Sequence, residues 1–390
     1  MRTIDVAERR ARLARRHHLA PDARAGTVEA AAAGMLCLHG TDPTTVYLSA
    51  RARVEDMTVA DMDRALYDDR SLVKHLAMRR TLFVAPREVL PVVQAGASAR
   101  VAAAESRRLA REVETAGLFD DGERWLAEAS AALLDALADG REATSSELRE
   151  EIPLLQGTMT YGEGRSWGGE TPIGPRVLTV LSAKGRVVRA SNVGGWTTSR
   201  PRWATFEAWL GSGIEVVDEA EARATLVALW LRTFGPGTLQ DIKWWLGSTL
   251  GAVRNALADL GAVEVDLHGQ PGYVLPDDLE PTDPVERWAA LLPGLDPTTM
   301  GWFDRDWYLG PHRAELFDST GNGGASAWWD GRIVGGWHQT PAGEVALDLL
   351  EKVDARARRA LEHEAGRLTE WLAGVRVVHR FPSPQAKRLT

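Results

Sequence analysis

Apolar positions along this chain follow two periods, about 3.6 and 2, in an order that recurs three times. Each recurrence is a capped helix, a second helix, then a short β-hairpin. Each opens on a Thr followed three residues later by an acid, a capping-box pattern: Thr58–Asp61, Thr144–Glu147 and Thr238–Asp241. In the first copy TVADMDRALYDD and SLVKHLAM predict helices, and RRTLFVAP predicts a strand stopped by Pro86. In the second, SSELREEI predicts a short helix. TPIGPRVLTVLSAKG predicts a longer one, with Ile173, Val177, Val180 and Leu181 on one face and Gly185 just past its end. RVVRASNVGGWTTS then predicts a hairpin, and GEGRSWGGE a flexible connection ahead of the longer helix.

The third copy is the plainest. EARATLVALWLRTF, TLQDIKWWLG and STLGAVRNALADLG predict three helices, the last with Leu250, Val253, Leu257 and Leu260 on one stripe. In AVEVDLHGQPGYVL, Val263, Val265 and Leu267 alternate with Glu264, Asp266 and His268, which is strand patterning. Helix, helix, helix, hairpin is the winged-helix order, whose third helix normally enters the major groove beside a wing. Three small packing units without a nucleic-acid role have the same order. An acidic, Pro-rich linker follows (276–290). Beyond it WYLG, ELFD, SAWWDG, RIVGGWHQ and VALDLLEK predict short strands, with a type I′ turn at Asp330-Gly331. A helix, ARARRALEHEAGRLTEWLAG, and a last strand, VRVVHRF, complete a small β-barrel or curled sheet.

The expected architecture is therefore α+β: three tandem winged-helix units and a C-terminal β-barrel. Unit 1 with a basic N-terminal helix covers 1–118, unit 2 covers 119–212, unit 3 covers 213–280, and the barrel covers 281–390. Composition narrows the partners. The one cysteine, Cys37, excludes an intramolecular disulfide and any multi-cysteine metal site. No apolar run reaches the ~18–20 residues of a membrane span, and the N-terminus has no apolar h-region, so a cytoplasmic location is expected. His17-His18 are adjacent and do not face one site on a helix, so no metal is expected there.

LCLHGTDPTTVYLSARAR, SLVKHLAMRRTLFVAP, LLPGLDPTTMGWFDRDWYLG and WWDGRIVGGW together resemble the bacterial winged-helix DNA-binding family that includes the AlkZ-like DNA glycosylases. The resemblance runs from about Arg9 to Phe381. It implies a C-shaped clamp around duplex DNA, excision of N-alkylated purines and unhooking of interstrand crosslinks. The family carries Gln–X–Gln or Gln–X–Asp followed by Asp-Pro. Here His39-Gly40-Thr41 precedes Asp42-Pro43, so the frame matches and the two catalytic side chains differ.

An N7- or N3-alkylated purine is cationic and already a good leaving group. An enzyme needs mainly to stabilise an oxocarbenium-like sugar and hold a water, without metal or other cofactor. His39 and Thr41 can accept from and aim a water, and Asp42 can offer negative charge. Other readings stay open. TVEAAAAGMLCLHG reads as a helix that places His39 in its last turn, where a cation complements the dipole. Asp42-Pro43 reads as an N-cap followed by Pro at N1, and Thr41 as linker.

The formal charge of -8 is uneven. Residues 1–200 carry a net +1 and residues 201–390 a net -9. Arg9, Arg10, Arg12, Arg15 and Arg16 crowd one predicted helix, and Arg107, Arg108 and Arg111 share another. Arg15, Arg16, Arg79, Arg80, Lys184, Arg186 and Arg189 are candidate phosphate contacts. Each is also compatible with an ordinary solvated face. The third unit offers only Arg254 on its recognition-type helix and is expected to be structural. Of 15 Trp, 13 follow residue 190 and read mainly as core. Trp167 and Trp196, flanking the second long helix, are the candidate DNA-facing exceptions.

Three functions remain. The first is a monofunctional glycosylase that excises N-alkylated purines from double-stranded DNA, working as a monomer. The second is a non-catalytic DNA-binding protein, a damage sensor or regulator. The third is a protein that sequesters a genotoxic small molecule.

Overall fold

The structure, a computed structural model, describes residues 1–161 and 169–389. The chain forms two compact units. One comprises 1–72, 83–86 and 224–390, and the other 73–82 and 87–223. None of the described helices is long and apolar enough to cross a membrane.

One local order does recur three times, though not in the register read from the Thr boxes. It runs helix, short strand, helix, helix, hairpin. In the first copy the elements are Val28–Gly34, Leu38–His39, Pro43–Arg51, Val59–Asp63 continuing as a π turn over Arg64–Asp68, and strands Leu72–Ala77 and Thr81–Pro86. The second copy uses Gly122–Ala136, Ala143–Thr144, Ser145–Glu151, Gly174–Ala183, Val187–Asn192 and Pro201–Thr205. In the third, Gly237 stands in for the short strand, among Glu219–Phe234, Leu239–Leu246, Leu250–Asp259, Val263–Asp266 and Pro271–Val274. Each time the short first strand pairs antiparallel with the second hairpin strand: Leu38 opposite Val84, Ala143 opposite Trp203, Gly237 opposite Tyr273. Gly237 must be glycine, because a Cβ there would lie 2.2 Å from the buried Trp230 ring.

The helix that follows the short strand is capped by Asp42, Thr144 and Thr238 in the three copies. Thr58 caps the next helix instead. The first Thr box is therefore one element out of phase with the other two. Two predicted helices are corrected with it. SLVKHLAM forms the strand Leu72–Ala77, and the helix predicted to reach Gly40 ends at Gly34. The stretches 71–78 and 35–40 are buried on almost every position, so neither shows the one-sided periodicity that separates helix from strand, which the true helix Val28–Gly34 does show. Leu36 takes a left-handed conformation, φ 62°, which turns the chain out of the helix and into the strand holding His39.

The predicted barrel is an open, four-stranded antiparallel sheet, and no closed barrel occurs among the described residues. Its order is Ala289–Leu292, Ser326–Trp329, Arg332–Gln339, Val345–Leu349. Asp330 and Gly331 both have positive φ, as the predicted type I′ turn requires. The helix Ala355–Leu372 packs Leu361, Ala365, Leu368 and Leu372 against the sheet. WYLG and ELFD, predicted as strands, are single helical turns, Asp306–Leu309 and Arg313–Leu316. VRVVHRF is not a strand. It runs as irregular chain, and a helix absent from the sequence reading, Pro384–Leu389, follows it.

A buried polar network fixes the larger unit from within. Arg53 and Asp296, both fully buried, form a two-pronged ion pair at 2.7 and 2.9 Å. Ser49 donates to the same carboxylate at 2.7 Å, and the Thr298 N–H at 2.8 Å. The Thr298 hydroxyl accepts from Arg53 and lies 2.9 Å from His17 Nδ1, while His17 Nε2 reaches the Thr233 carbonyl at 3.2 Å. A hydroxyl donating to Nδ1 and an Nε2–H donating to the carbonyl satisfy a neutral His17 completely.

Candidate active site

The strand Leu38–His39 ends at Gly40, and the helix Pro43–Arg51 begins at Pro43. The motif residues lie on this junction. His39 sits in the ladder opposite Phe83, not in a helical turn, so the dipole argument for it fails. Its ring packs on Phe83 at 5.5 Å between centroids, and it is 7% exposed. Thr41 is half-buried.

Asp42 is the N-cap that its Asp-Pro pairing predicts. Oδ1 accepts from the Thr44 N–H at 3.0 Å and from its hydroxyl at 2.7 Å. Oδ2 accepts the Arg380 N–H at 3.0 Å, and the Arg380 guanidinium reaches the Thr41 carbonyl at 3.4 Å. The tetrapeptide Asp-Pro-Thr-Thr occurs again at 296–299 with the same Asp-to-backbone bond. The second copy spends its remaining oxygen on Arg53 and Ser49, and the first spends it on the C-terminal segment. Thus the structure brings His39, Thr41 and Asp42 together and adds Arg380 and His379, which sequence reading missed. Their signal, an Arg and a His in VRVVHRF, was absorbed by the strand pattern.

Burial lowers the His379 pKa, and the nearby Asp42 carboxylate opposes that shift. Its ring stands edge-on to Trp337 at 5.4 Å. Burial raises the Cys37 thiol strongly, which leaves it protonated and unreactive. Among the described residues no group of His, Cys, Asp and Glu is placed to hold a metal.

The basic candidates divide sharply. The N-terminal helix Val6–Arg16 turns most of its arginines inward. Arg12 is fully buried on Asp278 and Glu8. Arg9 stacks on Trp307 at 4.2 Å, and Arg10 donates to the Trp307 carbonyl. Arg16 pairs with Asp278 at 2.6 Å and donates to the Gly235 carbonyl at 2.8 Å. Burial lowers its pKa, and the neighbouring Asp278 carboxylate opposes that shift. Arg16 is therefore mostly buried and held by partners within the protein, so contact with a phosphate would require it to leave Asp278. Acids distant in sequence meet these guanidinium groups while their stems cover apolar surface. Arg15 stays at the surface beside Asp22.

In the other unit, Arg79 and Arg80 form the hairpin tip, both with positive φ. Arg80 is exposed and pairs with Glu105 at 2.7 Å. Lys184 and Arg186 are exposed at the end of the helix Gly174–Ala183. Arg189 lies over Trp203 at 5.3 Å, and Trp196 is half-buried in the following turn. Trp167 lies outside the described residues. On the helix Ala99–Thr115, Arg107 and Arg111 border an open cleft of about 760 Å³ whose far wall is Thr158, Met159 and Thr160.

A family profile described as "DNA glycosylase AlkZ-like" matches residues 32–371. The "Interstrand DNA cross-link repair glycosylase" of Streptomyces sahachiroi is 27% identical over 314 residues, 76% of this chain and 78% of that protein. The solved structure of "Streptomyces sahachiroi DNA glycosylase AlkZ" shares the fold with a TM-score of 0.76 at 21% identity, over 97% of this chain and 99% of that one. The family match spans the junction that carries His39, Thr41 and Asp42, and the chain belongs to the AlkZ-like family of DNA glycosylases.

Proposed function

We propose that the protein excises N-alkylated purines from double-stranded DNA by water attack on an oxocarbenium-like sugar, leaving an abasic site. The observation that carries this reading is the family frame at the Leu38–Pro43 junction. There, two acceptor side chains, His39 and Thr41, stand at the family's motif positions, and the Asp-Pro that follows the motif is kept as Asp42-Pro43. His39 and the Thr41 hydroxyl aim the water, and Asp42 places negative charge near the developing cation. A cationic purine departs as a neutral base, so no metal enters the chemistry. No lysine lies in the motif to form a Schiff base, so lyase activity is not expected.

The three recurring helical units act as winged helices in a clamp on the duplex, and the protein works as a monomer in the cytoplasm. Arg15, Arg16, Arg79, Arg80, Lys184, Arg186, Arg189 and Trp196 are the candidate DNA contacts, Arg16 only if it leaves Asp278; Trp167, outside the described residues, is a further candidate from the sequence. The relative from Streptomyces sahachiroi is named for interstrand crosslinks, which makes crosslinked purines a second substrate class to try.

The test is a duplex carrying one 7-methylguanine, incubated with protein and heated in alkali to cut abasic sites. Cleavage in wild type that falls at least tenfold in His39→Ala supports the assignment. Unchanged cleavage in that variant removes His39 from the mechanism. The burial of His39, and the change of both motif positions, favour one competing reading: a DNA-binding protein without turnover. Tight binding with no cleavage would establish it.

A further inference from the structure

The chain between the helices Ala355–Leu372 and Pro384–Leu389 has no regular structure, yet it is fastened along its length. The Gln339 side chain donates to the Val375 carbonyl at 3.0 Å and accepts the Val377 N–H at 2.8 Å, as a neighbouring strand would. Arg376 donates to the Thr340 carbonyl. Four residues further on, the Arg380 N–H clasps Asp42. The family match stops at residue 371, so this strap lies beyond it.

His379 sits between the Val377 and Arg380 fastenings, so its backbone is held on both sides. Trp337 packs across its ring with the planes at 74°, and the Trp337 indole N–H is tied to the Leu292 carbonyl at 2.8 Å. As a residue His379 is half-buried, whereas His39 is almost wholly enclosed. Of the two histidines at this junction, His379 is the more exposed residue. Its depressed pKa keeps it neutral, with a lone pair free, at pH 7.

Building on the glycosylase reading, we propose that His379 is a catalytic residue of this site, accepting the proton of the attacking water, and that Arg380 is a positioning residue. The step balances. The water oxygen bonds to C1′ as the bond from C1′ to the purine nitrogen breaks. The bonding pair goes to the purine, which leaves neutral. The water's proton passes to the imidazole and then to solvent.

The experiment measures single-turnover excision from the 7-methylguanine duplex, with DNA affinity measured by anisotropy. His379→Ala is expected to lower the rate about a hundredfold, the lower range for general base catalysis, with affinity within a factor of about three. Added imidazole should restore part of the rate, which a merely structural role would not allow. Arg380→Pro, which removes the N–H on Asp42, should lower the rate, and Arg380→Ala, which keeps it, should lower it less. His379→Ala at the wild-type rate overturns the proposal, as does a failure of imidazole to rescue a folded, DNA-binding variant. If wild type binds the duplex but releases no base, the glycosylase reading has failed and the proton-acceptor role falls with it. Diethyl pyrocarbonate labelling of His379 with and without a duplex containing a tetrahydrofuran abasic site then reports on contact alone. Absence of protection removes His379 from the DNA site as well.

Discussion

Histidines show how one residue type is divided between structure and chemistry. His17 and His75 are fully buried, and burial drives both pKa values down, that of His75 to about 4. The unfolded chain therefore takes up these protons near pH 6.5 while the native state resists them. The stability they contribute is complete above about pH 6.5. It is lost as pH falls toward 4, on the order of 3 kcal/mol for His75 alone. Melting temperature measured from pH 7 to 4.5 should fall, and His75→Gln should fall less steeply if its amide is tolerated. An identical slope in that variant assigns the acid sensitivity elsewhere. None of this is legible in sequence, because a lone His in a buried run carries no mark of its neighbours. The same holds for Arg12 and Arg16: a helix crowded with arginine looks like a phosphate face until Asp278, distant in sequence, is placed against it.

Caps and hairpins were the readable elements. All three Thr boxes form reciprocal caps, and the third unit follows its predicted three helices and hairpin. What failed was discrimination inside wholly buried stretches. The chain 72–77 and the run into His39 lack a polar face, so period could not choose strand over helix. The misplaced repeat register followed, because Asp42 fills in the first copy the role that Thr144 and Thr238 fill later. Chemically equal boxes also carry unequal loads. Asp61 is half-buried and, among the described residues, serves its cap and Arg64, whereas Asp241 is buried and also accepts the Phe303 and Asp304 N–H groups at 2.9 and 3.0 Å. Asp61→Ala should cost about 1 kcal/mol. Asp241→Ala should cost about 3 kcal/mol or more, since two N–H groups lose their acceptor. Equal losses in urea unfolding would show that the Phe303–Asp304 contact contributes little.

At the scale of the molecule, the formal charge of -8 hides a partition. Arginines of the N-terminal helix hold the interior, and the exposed Lys184, Arg186 and Arg80 lie in the other unit. Arg16→Ala should therefore lower the melting temperature with little effect on DNA affinity. Lys184→Glu with Arg186→Glu should weaken binding at least tenfold and flatten its salt dependence, with unchanged melting. Arg254→Glu should weaken it less. The reverse pattern would return the N-terminal helix to the DNA interface. The Arg53–Asp296 pair is the interior counterpart. Asp296→Ala leaves a buried guanidinium without its acid and should cost about 3–5 kcal/mol, read as a lowered urea midpoint. The family frame was legible in the sequence; the strap that meets it was not, since it comes from residues more than 330 positions away. The most direct measurement remains release of base from a duplex with a single 7-methylguanine. Alkali-labile cleavage at the lesion in wild type, lost in both His39→Ala and His379→Ala while DNA binding persists, is the expected result. Tight binding with no cleavage at any enzyme concentration would contradict it.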